Sequence, residues 1–411
     1  MNIFKVLTIA RQAIAKNKLR TFFTVLGIVI GITAVSVIVS AGRSVEGLIF
    51  SQMESFGSNL IQTEVRVPKG SGGMATQVQG VVITTMTLGD KEAIDNLPNI
   101  KRSYAAEMSQ ELLSWNGNIK SALVYSTTYE FIDIDSSEIE SGRFYTEQED
   151  NNKTRVVVLG QQVKEDLFGE SEAIGQNIKI RKVNFKVIGV LKPRGSVMFF
   201  DMDNLIYTPI QTAQKLLLGI DHVSAITAQM NDANLDEQTV NDIRTTIRER
   251  HDITNPDKDD FETMSMSDAQ NIMGNVLGGI TLLLIALASI SLIVGGVGIM
   301  NIMYASVAER TFEIGLRKSI GASQKNIMTQ FLMEAIIITS LGGLGGVVLG
   351  LIITYFIYLL ANYYNFDWSF SISLGGIILA MLFSTAVGLV FGLYPAKKAA
   401  DLDPITALRK E

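Results

Sequence analysis

Four long stretches of the chain contain no charged residue, and they determine how the rest of the sequence is interpreted. They cover residues 22–41, 269–308, 335–366 and 368–396. An α-helix rises about 1.5 Å per residue and a bilayer core is about 30 Å thick, so roughly 20 apolar residues cross it. Each stretch is therefore predicted to contain one membrane-spanning helix.

The second of these stretches is longer than one crossing requires. As a helix, residues 269–308 would extend about 60 Å, roughly twice the hydrocarbon thickness. We therefore place the second span at 276–304, with a stalk extension before it. The first stretch is too long for the hydrophobic part of a signal peptide. The remaining predicted spans cover 21–42, 328–360 and 374–395, with a short outer loop at 361–373.

Basic residues lie on one side of the predicted spans. The first 20 residues hold five basic residues and no acidic one, whereas the loop at 361–374 has no basic residue. The positive-inside rule places both termini in the cytoplasm and residues 43–275 outside. The predicted cytoplasmic parts are an amphipathic helix at 1–20, a helix at 305–327 and a tail at 396–411.

The cytoplasmic segment between the second and third spans reads SVAERTFEIGLRKSIGASQKN over residues 306–326. Glu309, Glu313 and Arg317 recur four residues apart, so their charges can pair along one helix face. A second stripe is apolar and consists of Phe312, Leu316 and Ile320. The pattern predicts a water-facing helix that offers an apolar edge to a soluble partner.

Residues 43–275 combine strand and helix patterns and predict a large α+β domain. Strand, helix and strand follow one another twice, at 59–67, 88–96 and 100–112, and again at 223–230, 235–248 and 261–264. Alternating strand patterns fill the sequence between them. We predict two flanking halves at 52–118 and 220–268, with an inserted subdomain at 119–219.

The sequence contains no recognisable catalytic or cofactor-binding motif. There is no cysteine, and His222 and His251 lack metal-ligand spacing, so they are interpreted as surface histidines. The acidic runs at 147–150 and 257–260 lack EF-hand spacing and are interpreted as solvated loops. The dipeptide Gly-Lys, which a P-loop requires, is absent. We expect no enzyme activity, bound metal or cofactor in this chain, and no strongly basic domain is present to bind nucleic acid.

Small residues recur four apart inside the predicted spans, where they allow helices to approach closely in lipid. The predicted packing positions are Gly27, Gly31, Gly342, Gly346, Gly350, Gly388 and Gly392. One ionisable residue, Glu334, lies near the start of the third span. It is interpreted either as a functional carboxylate or as one paired close to the water interface.

Three segments resemble the MacB-type (FtsX-like) permease subunits of ABC transporters. They are SVAERTFEIGLRKSIGAS at 306–323, NKLRTFFTVLGIVIG at 17–31 and YPAKKAADLDPITALRKE at 394–411. The inserted subdomain is similar to the one called Sabre in that family, and the flanking halves to its porter-like layer. The resemblance implies four transmembrane helices and a large α+β extracytoplasmic domain.

The same resemblance implies partners and site residues. It implies a dimer with a second permease copy or paralogue, an adaptor of the membrane-fusion type, contacts with membrane lipid, and a separate ABC ATPase subunit that binds ATP and Mg. The residues matched to the family's ATPase-coupling helix are Glu309, Arg310, Glu313, Gly315, Arg317, Lys318 and Gly321. An ordinary cytoplasmic loop between two spans is also commonly basic and helical.

The expected function is export of an antibiotic, toxin, peptide or lipid-like substrate, driven by force from the ATPase. Two alternatives share the architecture: a lipoprotein-releasing permease and an FtsX-like regulator of a cell-wall hydrolase. The size of the predicted outer domain argues against the regulator, because that branch typically has a much smaller one.

Overall fold

A computed structural model describes residues 18–54, 59–68, 83–197, 200–364 and 370–408 of the chain. The predicted N-terminal amphipathic helix therefore falls largely outside the described residues, as do part of the predicted outer loop and the end of the tail. The described chain divides into two compact units. Among the described residues, the helical unit contains those within 1–48 and 274–411, and the mixed unit contains those within 49–273.

The helices vary from single turns to more than forty residues. In chain order they are α1 Lys18–Glu54, α2 Leu88–Asp95, α3 Phe131–Ile134, α4 Glu147–Asn151, α5 Gln161–Phe168, α6 Ile210–Thr212, α7 Asp236–Arg250, α8 Met266–Glu309, α9 Thr311–Ser319, α10 Gln324–Tyr363, α11 Leu374–Ala400 and α12 Pro404–Leu408. A π-helical turn, Ala213–Leu218, continues α6.

Four of these helices are long and apolar enough to cross a membrane. The qualifying segments are Val25–Met53 in α1, and the whole of α8, α10 and α11. The described chain thus has the helices of a multi-pass membrane protein, as the uncharged stretches predict. Helix α8 has 44 residues, which corresponds to about 66 Å.

The mixed unit is built on one large sheet. Its strands are β1 Leu60–Val65, β2 Ile100–Trp115, β3 Asn118–Thr127, β4 Ile139–Gly142, β5 Val156–Leu159, β6 Asn177–Ile180, β7 Val183–Leu191, β10 Leu205–Pro209, β11 Ala225–Met230 and β12 Phe261–Ser265, while β8 Ser196–Val197 and β9 Phe200–Asp201 form a separate pair. The strand order is β12-β1-β11-β2-β3-β10-β5-β7-β4.

Part of this sheet closes on itself. Strand β6 pairs with both β2 and β7, so β2, β3, β10, β5, β7 and β6 form a closed ring. Residues such as Leu113, Val124, Val157 and Phe185 are buried together inside it. Alternating apolar residues predict the individual strands, but the closure comes from pairing between distant segments.

Strand β2 belongs to both parts of the mixed unit. Its first half contributes Ile100 and Ala105 to a core shared with α2 and α7, and its second half contributes Leu113 to the core of the ring. Strand β3 pairs with β2 from Ala106 to Trp115. The sheet therefore runs without a break through the hairpin where the flanking half and the insert were predicted to meet. The α+β class of this domain is confirmed.

Candidate functional site

Helix α9 lies in the segment that carries the predicted coupling residues. The structure divides the predicted helix at 305–327 into the end of α8, the nine-residue α9 and the start of α10. Gly321 ends α9 with a φ of +100°, which favours glycine. The amide of Ala322 donates to the Arg317 carbonyl at 3.0 Å, and the amide of Gly321 donates to the Lys318 carbonyl at 3.1 Å. This is a Schellman cap, so Gly321 shapes the turn.

The two faces of α9 have different surroundings. Ile314 is 3% exposed and packs in the core of the helical unit, together with Ala399 and Ala400 of α11. On the opposite face, Phe312 is 55% exposed, Leu316 49% and Ile320 80%. We call Phe312, Glu313, Leu316 and Ile320 the outer face of α9. It contains the apolar stripe that the sequence predicts.

Lys318 points toward the end of the fourth membrane helix. Its ammonium donates to the Ala400 carbonyl at 2.7 Å and to the Leu402 carbonyl at 2.5 Å. Ala400 is the last residue of α11, and the final carbonyls of a helix have no intrahelical partner. A cation at this position also interacts favourably with the helix dipole. Lys318 therefore caps α11 and the turn that follows it.

Gly315 lies at a close contact between α9 and α12. A Cβ at this position would lie 2.8 Å from the Cβ of Ala407, closer than van der Waals contact allows. Helix α12 is capped by Asp403, whose carboxylate accepts from the Thr406 amide at 3.0 Å. This hydrogen bond, with a smaller contribution from Lys318, lowers the pKa of Asp403. Gly315 and Lys318 thus both contact the chain around residues 400–407.

Two arginines connect this region to α10. The guanidinium of Arg310, between α8 and α9, lies 3.2 Å from the carboxylate of Glu334, whose side chain is 2% exposed. Arg317 pairs with Glu313 at 2.5 Å and donates to the Gln330 side chain at 2.7 Å. Of the two interpretations of Glu334, the structure supports the paired carboxylate.

The seven predicted coupling residues therefore occupy different positions. Glu309 and Glu313 are exposed, and Arg317 lies between the outer face and α10. Arg310, Gly315 and Lys318 make contacts within the helical unit. Gly321 forms the turn. Their role in ATPase coupling stays a prediction, and the contacts with Gln330 and Ala407 were not anticipated, because nothing local in the sequence indicates them.

The predicted packing glycines lie where membrane helices approach one another. Helix α1 meets α8 at Gly27 and Gly31, and a Cβ on Gly31 would lie 2.6 Å from Leu292 Cδ2. The contacts of the other glycines are Gly342 with Ile28, Gly346 with Ile32, Gly350 with Ser36, Gly388 with Thr339 and Gly392 with Ala335. Thr33 also donates to the Gly346 carbonyl at 3.0 Å. Helix α10 thus contacts both α1 and α11 through glycines.

The prediction that the two histidines lie at the surface is wrong. His222 is 9% exposed, and the side chain of His251 is 6% exposed. The Asp260 carboxylate, 2.9 Å from Nδ1, and the Asp90 carboxylate, 3.5 Å from Nε2, raise the pKa of His251 to about 9. The two carboxylates compensate the charge of the protonated imidazole, which explains how it is buried.

The prediction that both acidic runs are solvated loops is also wrong in part. Residues Glu147–Asn151 form α4, in which Asp150 is 3% exposed and accepts from the Gln211 amide at 3.2 Å. In the second run, Asp259 is 5% exposed and pairs with Arg248 at 2.6 Å. Over the part of the chain that the structure describes, no group of three or more His, Cys, Asp or Glu is arranged to hold a metal ion.

Two family descriptions match the chain. A MacB-like periplasmic core domain matches residues 21–246, and an FtsX-like permease C-terminal region matches residues 285–404. The macrolide export ATP-binding/permease protein MacB of Bdellovibrio bacteriovorus is 37% identical over 405 residues, covering 97% of this chain and 61% of that protein. The protein of the same description from Chlorobaculum tepidum is 37% identical over 409 residues, covering 98% and 61%.

This chain spans about three fifths of the length of those relatives, as their 61% coverage shows. Among solved structures, the periplasmic region of MacB from Actinobacillus actinomycetemcomitans has a TM-score of 0.46 at 19% identity. That similarity covers 55% of this chain and 98% of the other.

Proposed function

Because the chain belongs to the family of permeases that combine a MacB-like periplasmic core domain with an FtsX-like C-terminal region, we propose that it is the permease subunit of an ABC exporter. A partner ATPase binds ATP and Mg and docks on the outer face of α9. Two permease copies act together. Following the charge distribution, α9 and both termini lie in the cytoplasm and the mixed unit lies outside.

The observation that carries this proposal is the exposure of three large apolar side chains on one face of α9. Phe312, Leu316 and Ile320 are 55%, 49% and 80% exposed. Fully burying one such side chain contributes about 1.5–3 kcal/mol, so covering these three contributes about 3–5 kcal/mol before the costs of association. The charged neighbours Glu313 and Arg317 favour an aqueous environment. A soluble protein partner fits this face better than lipid does.

The helices suggest how movement of α9 reaches the rest of the chain. Helix α9 follows α8 with only Arg310 between them, and α8 contributes residues to both the helical unit and the mixed unit. Helix α1 does the same. We propose that closure of the ATPases displaces α9, and that α8 and α1 relay this movement to the mixed unit. There, with an adaptor of the membrane-fusion type, the substrate is expelled.

The proposed substrates are antibiotics, toxins, peptides or lipid-like molecules, and a macrolide is the first to test because the relatives are described as macrolide exporters. The cores of the four spans lie within residues 22–41, 269–308, 335–366 and 368–396, which contain no charged residue. A polar solute has little to line a path there. This supports expulsion from the mixed unit's side over passage through the bilayer.

Docking is tested by co-expressing the full chain with each ABC ATPase of the source organism and measuring co-purification in detergent. Leu316→Asp places a charge in the centre of the outer face, and we expect ATPase binding at least about tenfold weaker, equivalent to about 1.4 kcal/mol. Leu112→Asp is the matched control, because Leu112 is 61% exposed on β2 in the mixed unit.

Export is tested with the same variants. In a macrolide-sensitive strain that expresses the pair, erythromycin resistance should fall with Leu316→Asp and persist with Leu112→Asp. Equal ATPase binding by both variants would contradict docking on α9. Unchanged resistance when the ATPase is inactivated would contradict ATP-driven macrolide export.

A further inference from the structure

The inner face of α9 is held by a part of the chain that lies far away in sequence. Lys318 donates to the carbonyls of Ala400 and Leu402, which lie 82 and 84 residues further along. These carbonyls belong to the last residue of α11 and to the turn before α12. Lys318 is therefore bonded to an element that is not its neighbour in the chain.

A second contact holds the same two parts together. Gly315 faces Ala407 of α12, which is 2% exposed, and a Cβ on Gly315 would overlap with Ala407 Cβ at 2.8 Å. Ile314 is buried with Ala399 and Ala400. Lys318 follows Gly315 by three residues and Ile314 by four, so it shares one helix face with both of them. Each of these three positions contacts α11, α12 or the turn between them, while the outer face is exposed.

We infer that Lys318 is a positioning residue that joins α9 to the end of α11, so that the two helices and α12 move as one body when the ATPase displaces α9. This inference rests on the proposed function. Without this joint, which also includes the contacts of Ile314 and Gly315, force entering α9 would pass only to α8 and α10, the helices on either side of it in the chain. With it, the fourth membrane helix is driven directly at its cytoplasmic end.

The chemistry of the contact explains why a lysine serves here. The ammonium has three donors and a long flexible stem, so it reaches two carbonyls at once. Both acceptors are backbone atoms, so the contact depends on the position of the chain and not on the identity of residues 400 and 402. An arginine has enough donors to replace it in part, whereas a methionine of similar length has none.

The test compares Lys318→Met with Lys318→Arg in the full chain, purified with its ATPase. The control is Lys325→Met, which removes a cation from an exposed position at the start of α10. We expect Lys318→Met to keep ATPase binding within about twofold and ATP hydrolysis intact, and to lose about tenfold in erythromycin export. Lys318→Arg should recover at least half of the export, and Lys325→Met should behave as the parent.

Two results would overturn the inference. Unchanged export by Lys318→Met shows that the contact transmits nothing. Loss of ATPase binding by Lys318→Met shows that Lys318 belongs to the docking surface or to the fold of α9 instead.

A second measurement does not depend on the ATPase, so it separates this inference from the proposed function. Because the chain has no cysteine, spin labels are attached at Leu316→Cys on α9 and Leu393→Cys on α11, both half-exposed in the parent. The distance distribution between them should be narrow in the parent and clearly broader with Lys318→Met. Equal widths would contradict the joining role even if no ATPase binds. A broader distribution supports it even if the export proposal fails.

Discussion

Two neighbouring glycines of α10 provide a sharp test of how the membrane helices pack. A Cβ on Gly346 would lie 2.8 Å from Ile32 Cβ and 2.9 Å from both Ile32 Cγ2 and the Val29 carbonyl oxygen of α1. A Cβ on Gly345 meets nothing closer than Val29 Cγ2 at 3.7 Å. Alanine should therefore fit at 345 and force α1 and α10 apart at 346.

The difference between the two alanine variants isolates this contact. Both replace a glycine in the same helix, so the gain in helix propensity, about 1 kcal/mol in water, is common to both. The remaining term is overpacking, which costs about 1–3 kcal/mol. Separation of the helices would also weaken the hydrogen bond from Thr33 to the Gly346 carbonyl, 3.0 Å long in the parent. We expect Gly346→Ala to be less stable than Gly345→Ala by about 1–3 kcal/mol.

The assay is reversible unfolding of the full chain in mixed micelles with increasing SDS, followed by far-ultraviolet circular dichroism. The parent and both variants are measured in the same lipid and detergent. Equal stability of Gly346→Ala and Gly345→Ala would refute the close approach of α1 and α10 at Gly346.

Buried charged groups give three further predictions. Arg310→Met leaves the Glu334 carboxylate buried without its partner and should lower the free energy of unfolding by about 3 kcal/mol. Adding Glu334→Met should recover at least half of this loss. Equal losses in the single and the double variant would contradict the pairing. The pKa of His251 rises from its ordinary value of 6.5 to about 9. The charged imidazole therefore stabilises the folded chain fully below pH 6.5, and this contribution is lost as the pH rises through 9. Relative to the parent, His251→Gln should be about 1–3 kcal/mol less stable at pH 6 and equal near pH 10 by denaturant titration; a constant difference would contradict this. Burial raises the pKa of Glu107 to about 7. The parent therefore loses stability as the pH rises from about 4.5 to above 7. Glu107→Gln should be more stable than the parent by about 1–2 kcal/mol at pH 8 but not at pH 5. In a Trp368→Phe background, the fluorescence of Trp115 reports the mixed unit for the last two measurements.

The membrane helices and most strands follow from local sequence. An uncharged stretch such as 368–396 needs no distant partner to be recognised, because its length and composition meet the requirement of a bilayer. The same holds for the strand at Phe185, where apolar and polar residues alternate over 183–187. These features were predictable because each depends on residues within a few positions of one another.

Features that depend on distant pairs were not predictable in this way. His251 is buried between the carboxylates of Asp260 and Asp90, and Asp90 lies 161 residues earlier in the sequence. The inward orientation of Lys318 depends on where the chain around Ala400 returns. The closed ring of the mixed unit likewise depends on β6 reaching β2. In each case the local sequence does not distinguish the observed arrangement from others, and only tertiary contacts determine where the residues lie.

The central claim, that an ATPase docks on the outer face of α9, is tested most directly by protection of a single cysteine. Because the parent has no cysteine, Leu316→Cys and the control Ile119→Cys, at a site 72% exposed in the mixed unit, each provide one reactive thiol. The rate of maleimide labelling is measured in detergent with and without the co-purifying ATPase and ATP. The account predicts labelling at least about tenfold slower at position 316 when the ATPase is bound, with no change at position 119. An unchanged rate at position 316 in a complex that retains the ATPase would contradict it.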